Sequence, residues 1–176
     1  MKPIGPLMRE HRLIERMIRV MERRIALTEP DPAFLTAAVD FMKTFVDQIH
    51  HGKEEDILFR DLKTKTLSAE HRRILGELVE EHIAGRNLVK RLDQARTELI
   101  PGDAVSREQL AGIVAEIAVF YNNHIDKEDN RFFYPCLDYF SPVEQEKMLR
   151  DYAEYEGRVL QDRYLNIVES LEAGTR

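Results

Sequence analysis

Six histidines occur in a chain of 176 residues: His11, His50, His51, His71, His82 and His124. Glu54 stands four residues after His50, and Glu128 four residues after His124. On an α-helix that separation is about 40° of rotation, so imidazole and carboxylate project from one face. Imidazole nitrogen with carboxylate oxygen, and no thiolate, suits iron, manganese or zinc. A glutamate can also bridge two cations through its two oxygens, which an imidazole cannot. A single histidine on an apolar stripe is usually a satisfied core residue. Several at one place need a shared partner, because buried imidazole nitrogens are costly without one.

The elements that must position these groups read as helices. Apolar residues recur at steps of three and four: Leu7, Ile14, Ile18, Met21 and Ile25 in a first helix from about Pro6 to Thr28. The segment Glu29 to Pro32 ends it. A second helix spans about Pro32 to Lys65, with Leu35, Val39, Met42, Val46, Ile49 and Leu58 inward. Ser68 is placed to cap a third, which carries Leu75, Leu78, Val79, Val89 and Leu92 and stops at the Pro101–Asp103 turn. A fourth starts near Ser106 and runs to about Tyr134, before Pro135. Ser141, Pro142 and Glu144 form the start of a fifth, expected to continue to about Leu171. Short loops make sequential helices antiparallel neighbours. The expectation is an all-α, up-down-up-down four-helix bundle over about residues 5–140, with one more helix over about 141–171. With no repeat, linker or low-complexity stretch, residues 1–176 read as a single domain.

Helical phase puts His11, His50, His82 and His124 on or beside the inward stripes: His11 follows Leu7 by four, His50 follows Val46 by four, His82 follows Leu78 by four and His124 follows Ile117 by seven. Height along the bundle agrees. At a rise of about 1.5 Å per residue, counting back and forward from each turn brings successive histidines level to about 3 Å. Four imidazoles, one from each helix, are therefore expected at one depth, with Glu54 and Glu128 beside them.

Composition limits the alternatives. Hydrophobic residues at 43% together with charged residues at 33% suit amphipathic helices. The formal net charge is -6 and basic residues alternate with acidic ones, which argues against a nucleic-acid partner. No apolar run approaches the roughly 18 residues of a membrane span. One cysteine, Cys136, allows no internal disulfide, which fits a reducing, cytoplasmic setting.

The segments EHRLIERM from Glu10, HHGKEEDILF from His50, EHIAGR from Glu81 and HIDKEDNRFFYP from His124 resemble the hemerythrin-like HHE cation-binding family. The order His, His-x-x-x-Glu, His, His-x-x-x-Glu is that family's ligand pattern, and the likeness covers about residues 5–140. It implies two non-haem iron ions, with zinc or manganese as substitutes, bridged by Glu54 and Glu128. One ion would take His11 and His50, the other His82 and His124. It further implies a small diatomic ligand, oxygen or nitric oxide, or peroxide as the partner. The family's oxygen carriers have a second histidine four residues beyond the third-helix ligand. Here that position is Arg86, which implies a poorer imidazole set on one ion. That departure points toward nitric oxide response, iron–sulfur repair or redox sensing.

Several neighbours compete for the site. His51 and Glu55 repeat the same spacing one residue later, but they follow Asp47 instead of Val46, so His50 and Glu54 take precedence. His51 is the leading candidate for any vacant coordination position. Asp129 lies about 140° from His124 on a regular helix, which favours Glu128. Glu15 shares a face with His11, and Tyr121 lies a turn before His124; either could complete the coordination. His71 is about 16 Å from His82 by the helical rise and reads as structural. Cys136 reads as a buried thiol. Two further functions stay open: a di-metal oxidase or hydrolase, and an interaction bundle with an incidental metal. The filling of the core by Phe41, Phe45, Phe120 and Phe132 leaves no evident room for a large substrate.

Overall fold

The structure, a computed structural model, describes residues 1–27 and 31–173. The expected stop of the first helix at Glu29 to Pro32 falls partly on residues 28–30, outside the described residues.

The first helix, α1, is Ile4–Leu27, beginning two residues before the expected start, with Pro6 in its first turn where no intrahelical donor is needed. Asp31 caps the second: its side chain accepts from the Ala33 N–H at 3.0 Å, and Pro32 takes the first helical position. This rod, α2, runs over residues 32–62 and changes gauge along its length. It is α-helical over Pro32–Asp40, π-helical over Phe41–His50, α-helical over His51–Lys53, π-helical over Glu54–Phe59, and α-helical again over Arg60–Leu62. The third helix, α3, is Ala69–Glu98, and Ser68 caps it as expected by accepting from His71 N–H at 3.1 Å.

The fourth starts two residues earlier than its expected Ser106. Asp103 is the cap, and its carboxylate accepts from Ser106 N–H at 2.8 Å. This rod, α4, covers residues 104–139: Ala104–Lys127, a π segment Glu128–Phe132, then Phe133–Cys136 and a tight 3₁₀ turn Leu137–Tyr139. The expected end at Tyr134 is passed. The wide turn just upstream, with Phe132 at φ -117°, lets Pro135 stay inside the rod without its usual clash.

Beyond it, α5 is Pro142–Glu156, opened by the capping box of Ser141 and Glu144. The single helix expected to run to Leu171 is instead two. Gly157 adopts φ +55°, a left-handed conformation that ends α5, and α6 follows as Arg158–Ala173.

In the bundle, α4 lies against both α1 and α3, α2 packs on α3, and α6 covers α1 and α2. Two apolar clusters fill the interior. One joins Ile14, Phe41, Phe45, Val89, Ile117 and Tyr164. The other joins Leu7, Ile57, Phe59, Leu78, Phe132 and Tyr152. Each of the first four rods passes from one cluster to the other, and a band of buried polar residues sits at each crossing: His11, then His50, His51 and Glu54, then His82, then His124 and Glu128.

Candidate metal centre

The crossing residues converge. Ligand atoms of His11, His50, Glu54 and Glu128 all lie within 4.8 Å of one another, and so do those of His51, His82 and His124. Both glutamates reach across the two groups. Glu54 places Oε1 3.4 Å from His50 Nε2 and Oε2 3.4 Å from His82 Nε2. Glu128 Oε2 stands 3.1 Å from His11 Nε2 and 3.4 Å from His124 Nε2. All six residues expected at the site are thus brought together, and His51 joins them.

The inclusion of His51 follows from the π segment. The His51 N–H donates to Val46 O, five residues back instead of four. That wider turn gives less than the usual 100° between neighbours. His50 and His51 therefore both face inward. The His51 ring stacks on His82 with centroids 4.0 Å apart. The expectation of a poorer imidazole set, drawn from Arg86, is not met, because α2 contributes a fifth ring.

Four of the imidazoles are held from behind by an acid. The Nδ1–H of His50 donates to Glu10 Oε2 at 2.9 Å, that of His82 to Glu55 Oε1 at 2.7 Å, that of His124 to Glu81 Oε2 at 2.9 Å, and that of His11 to Asp129 Oδ1 at 2.8 Å. These acids form a closed ring: α1 lends Glu10 to α2, α2 lends Glu55 to α3, α3 lends Glu81 to α4, and α4 returns Asp129 to α1. A cation on the receiving helix steadies each acid: Lys53, Arg86, Lys127 and Arg12 in turn. Asp47 lies 3.3 Å from His51 Nδ1, but the two atoms make no hydrogen bond, so the fifth ring lacks such a tie. Donation at Nδ1 fixes the tautomer and leaves the Nε2 lone pair for a metal.

Those inward nitrogens have no hydrogen-bond partner at His11, His51, His82 and His124, nor do the oxygens of Glu54 and Glu128. Unpartnered buried polar atoms at this density are rare and costly. Metal cations held there would satisfy these atoms, and nitrogen with oxygen donors suits iron. Aromatic rings exclude water from behind: Phe133 stacks on His11, Phe59 on His82, Phe120 on His124 and Tyr121 on His51.

The electrostatics express the same demand for positive charge. Burial, then the neighbouring Glu128 carboxylate, pushes Glu54 well above the usual carboxylate range. Burial pulls the His11 ring down, but its hydrogen bond to Asp129 and the close Glu128 carboxylate outweigh it and raise its pKa to about 9. Burial and nearby imidazoles hold His51 well below its ordinary value.

The remaining candidates stand outside. Glu15 is half-buried and pairs with Arg12 at 3.3 Å. Tyr121 backs His51, and its buried hydroxyl has no partner. His71 bonds to the Tyr139 hydroxyl at 2.8 Å. Cys136 is buried, and burial pushes its thiol up to about 12. From the sequence, Glu55 and Asp129 read only as rival ligands, and Glu10, Glu81 and Lys53 had no role. Their signal is that Glu10, Glu55, Glu81 and Asp129 each adjoin an inward residue in the chain, yet each serves a histidine on another helix.

A helical bundle with this band of imidazoles and carboxylates is a cation-binding protein. The chain belongs to the hemerythrin family: residues 2–135 match the hemerythrin HHE cation binding domain. No curated protein and no solved structure matches it. No helix among the described residues is long and apolar enough to cross a membrane.

Proposed function

We propose that the chain is a cytoplasmic, non-haem di-iron protein that binds or reacts with oxygen, nitric oxide or peroxide, in sensing, scavenging or iron–sulfur repair. His11 and His50 would hold one ion, His51, His82 and His124 the other, and Glu54 and Glu128 would bridge them. The observation that carries this reading is the double reach of the two glutamates, each within 3.4 Å of imidazoles from both groups. Iron held there supplies a redox-active centre able to add a small ligand. The side with His11 and His50 has fewer imidazoles than the side with His51, His82 and His124, and would leave more room there for a small ligand. The protein's own part is to fix the imidazoles through the ring of acids and to keep bulk water out with the backing rings.

Protein purified without added iron is expected to carry about two irons per chain, as a two-metal site requires. Its absorption near the ultraviolet edge is expected to change on exposure to air. His82→Ala should lose at least one metal per chain, while His71→Ala keeps both. Equal retention in the two variants would remove the ligand assignment.

A further inference from the structure

Lys53 is fully buried, its side chain 0% exposed. A charge there persists only when well paired. Its ammonium contacts Glu10 and stands 3.1 Å from Glu156 Oε2. Glu10 in turn holds His50 through the other carboxylate oxygen. Glu156 closes α5, outside the residues matched to the family. Three links therefore join the added helix to an inward imidazole.

The rest of the ring is built differently. Arg86, Lys127 and Arg12 are 38%, 16% and 56% exposed, and the described residues pair them with acids from the four bundle rods alone. Only the Glu10–Lys53 link is sealed by α5. The seat of α5 is close. Met148 and Tyr152 are buried in the second apolar cluster. The Tyr155 hydroxyl lies over Gly52, where a Cβ would collide with it, and donates to Asp56 Oδ2 at 3.3 Å. Gly157, immediately after Glu156, turns the chain away at that point.

We propose that α5 is a working part of the metal centre: Glu156 fixes Lys53, Lys53 fixes Glu10, and Glu10 orients His50. Glu156 and Lys53 are positioning residues. The ion held by His11 and His50 then depends on α5, and the ion held by His51, His82 and His124 does not. This rests on the two-metal reading above.

The test compares full-length wild-type protein, Glu156→Ala and Ser141→Ala, each loaded with ferrous iron without air and titrated with a competing chelator. Glu156→Ala keeps the Lys53–Glu10 pair, so it folds. It is expected to give up one of its two ions at a chelator concentration at least about 10-fold lower than wild type, the scale of outer-acid effects on metal affinity. Its second ion should leave as in wild type. Ser141→Ala loosens the start of α5 without touching the network and should hold both ions as wild type does. Retention of both ions by Glu156→Ala at wild-type affinity overturns the proposal. So does parallel loss of both ions, which marks general loosening. Wild-type protein that takes up no iron refutes the function proposed above; wild type that loads two ions, with Glu156→Ala releasing them at the same chelator concentrations, refutes this inference alone.

Discussion

Each ring nitrogen in the centre has one task. In His11, His50, His82 and His124, Nδ1 is tied to an acid and Nε2 is left facing inward for a cation. Replacing the acid while keeping its shape separates the two tasks. Glu55→Gln removes the charge that holds His82 and is also paired with Arg86. Metal affinity is expected to fall about 10- to 100-fold, measured by chelator competition, with helix content unchanged by circular dichroism. Cys136 makes the opposite case. Its buried thiol, raised to about 12, is almost wholly protonated near neutrality. Thiol reagents should leave it unmodified in the native protein and react only in denaturant. At this scale the sequence was legible where phase and height agreed, as for His11, His50, His82 and His124. His51 was ranked behind His50 because its phase was counted on a regular α-helix, and a wide turn breaks that count. The role of the outer acids was hidden because adjacency in the chain says nothing about which neighbouring rod an acid will reach.

Among the elements, α2 and α4 carry both the glutamates and the wide turns. Glu54 opens one π segment and Glu128 another. Such turns leave backbone groups more loosely bonded than in an α-helix and concentrate at functional places. The caps, by contrast, follow ordinary rules: Ser68 and Ser141 were readable because short polar side chains before an apolar run have few other uses. The break at Gly157 was also written in the chain. The apolar pattern on both sides of the glycine continued in phase and masked it. The cap of α5 has a pH signature. Hydrogen bonds from Lys65 and then from Ser141 hold the Glu144 carboxyl down to about 2. A carboxyl lowered on folding adds stability that is present above its ordinary 4.5 and is lost as pH falls through its folded value. The stability gap between wild type and Glu144→Gln, read by urea unfolding, should be open at neutral pH and close as pH falls toward about 2.

For the whole molecule, the polar band divides the interior into two apolar clusters, and it is the layer least able to stabilise itself. Cations that bind the folded chain alone add stability with their concentration. Stripping the metal with a chelator should lower the melting temperature, and adding iron back should restore it in proportion to free metal. The bundle and its family were legible from the sequence because four stripes of regular period leave few other packings. The contact of Lys53 with Glu156, on a helix outside the matched region, was not, since nothing local marks Lys53 as buried.

The circle of lent acids has a consequence for biosynthesis. Its last link joins Asp129 to His11 across 118 positions of chain. A polypeptide leaving the ribosome holds His11, His50, His51 and His82 long before it holds Glu128 and Asp129. The full set of inward donors is therefore assembled only once the fourth rod has emerged and docked.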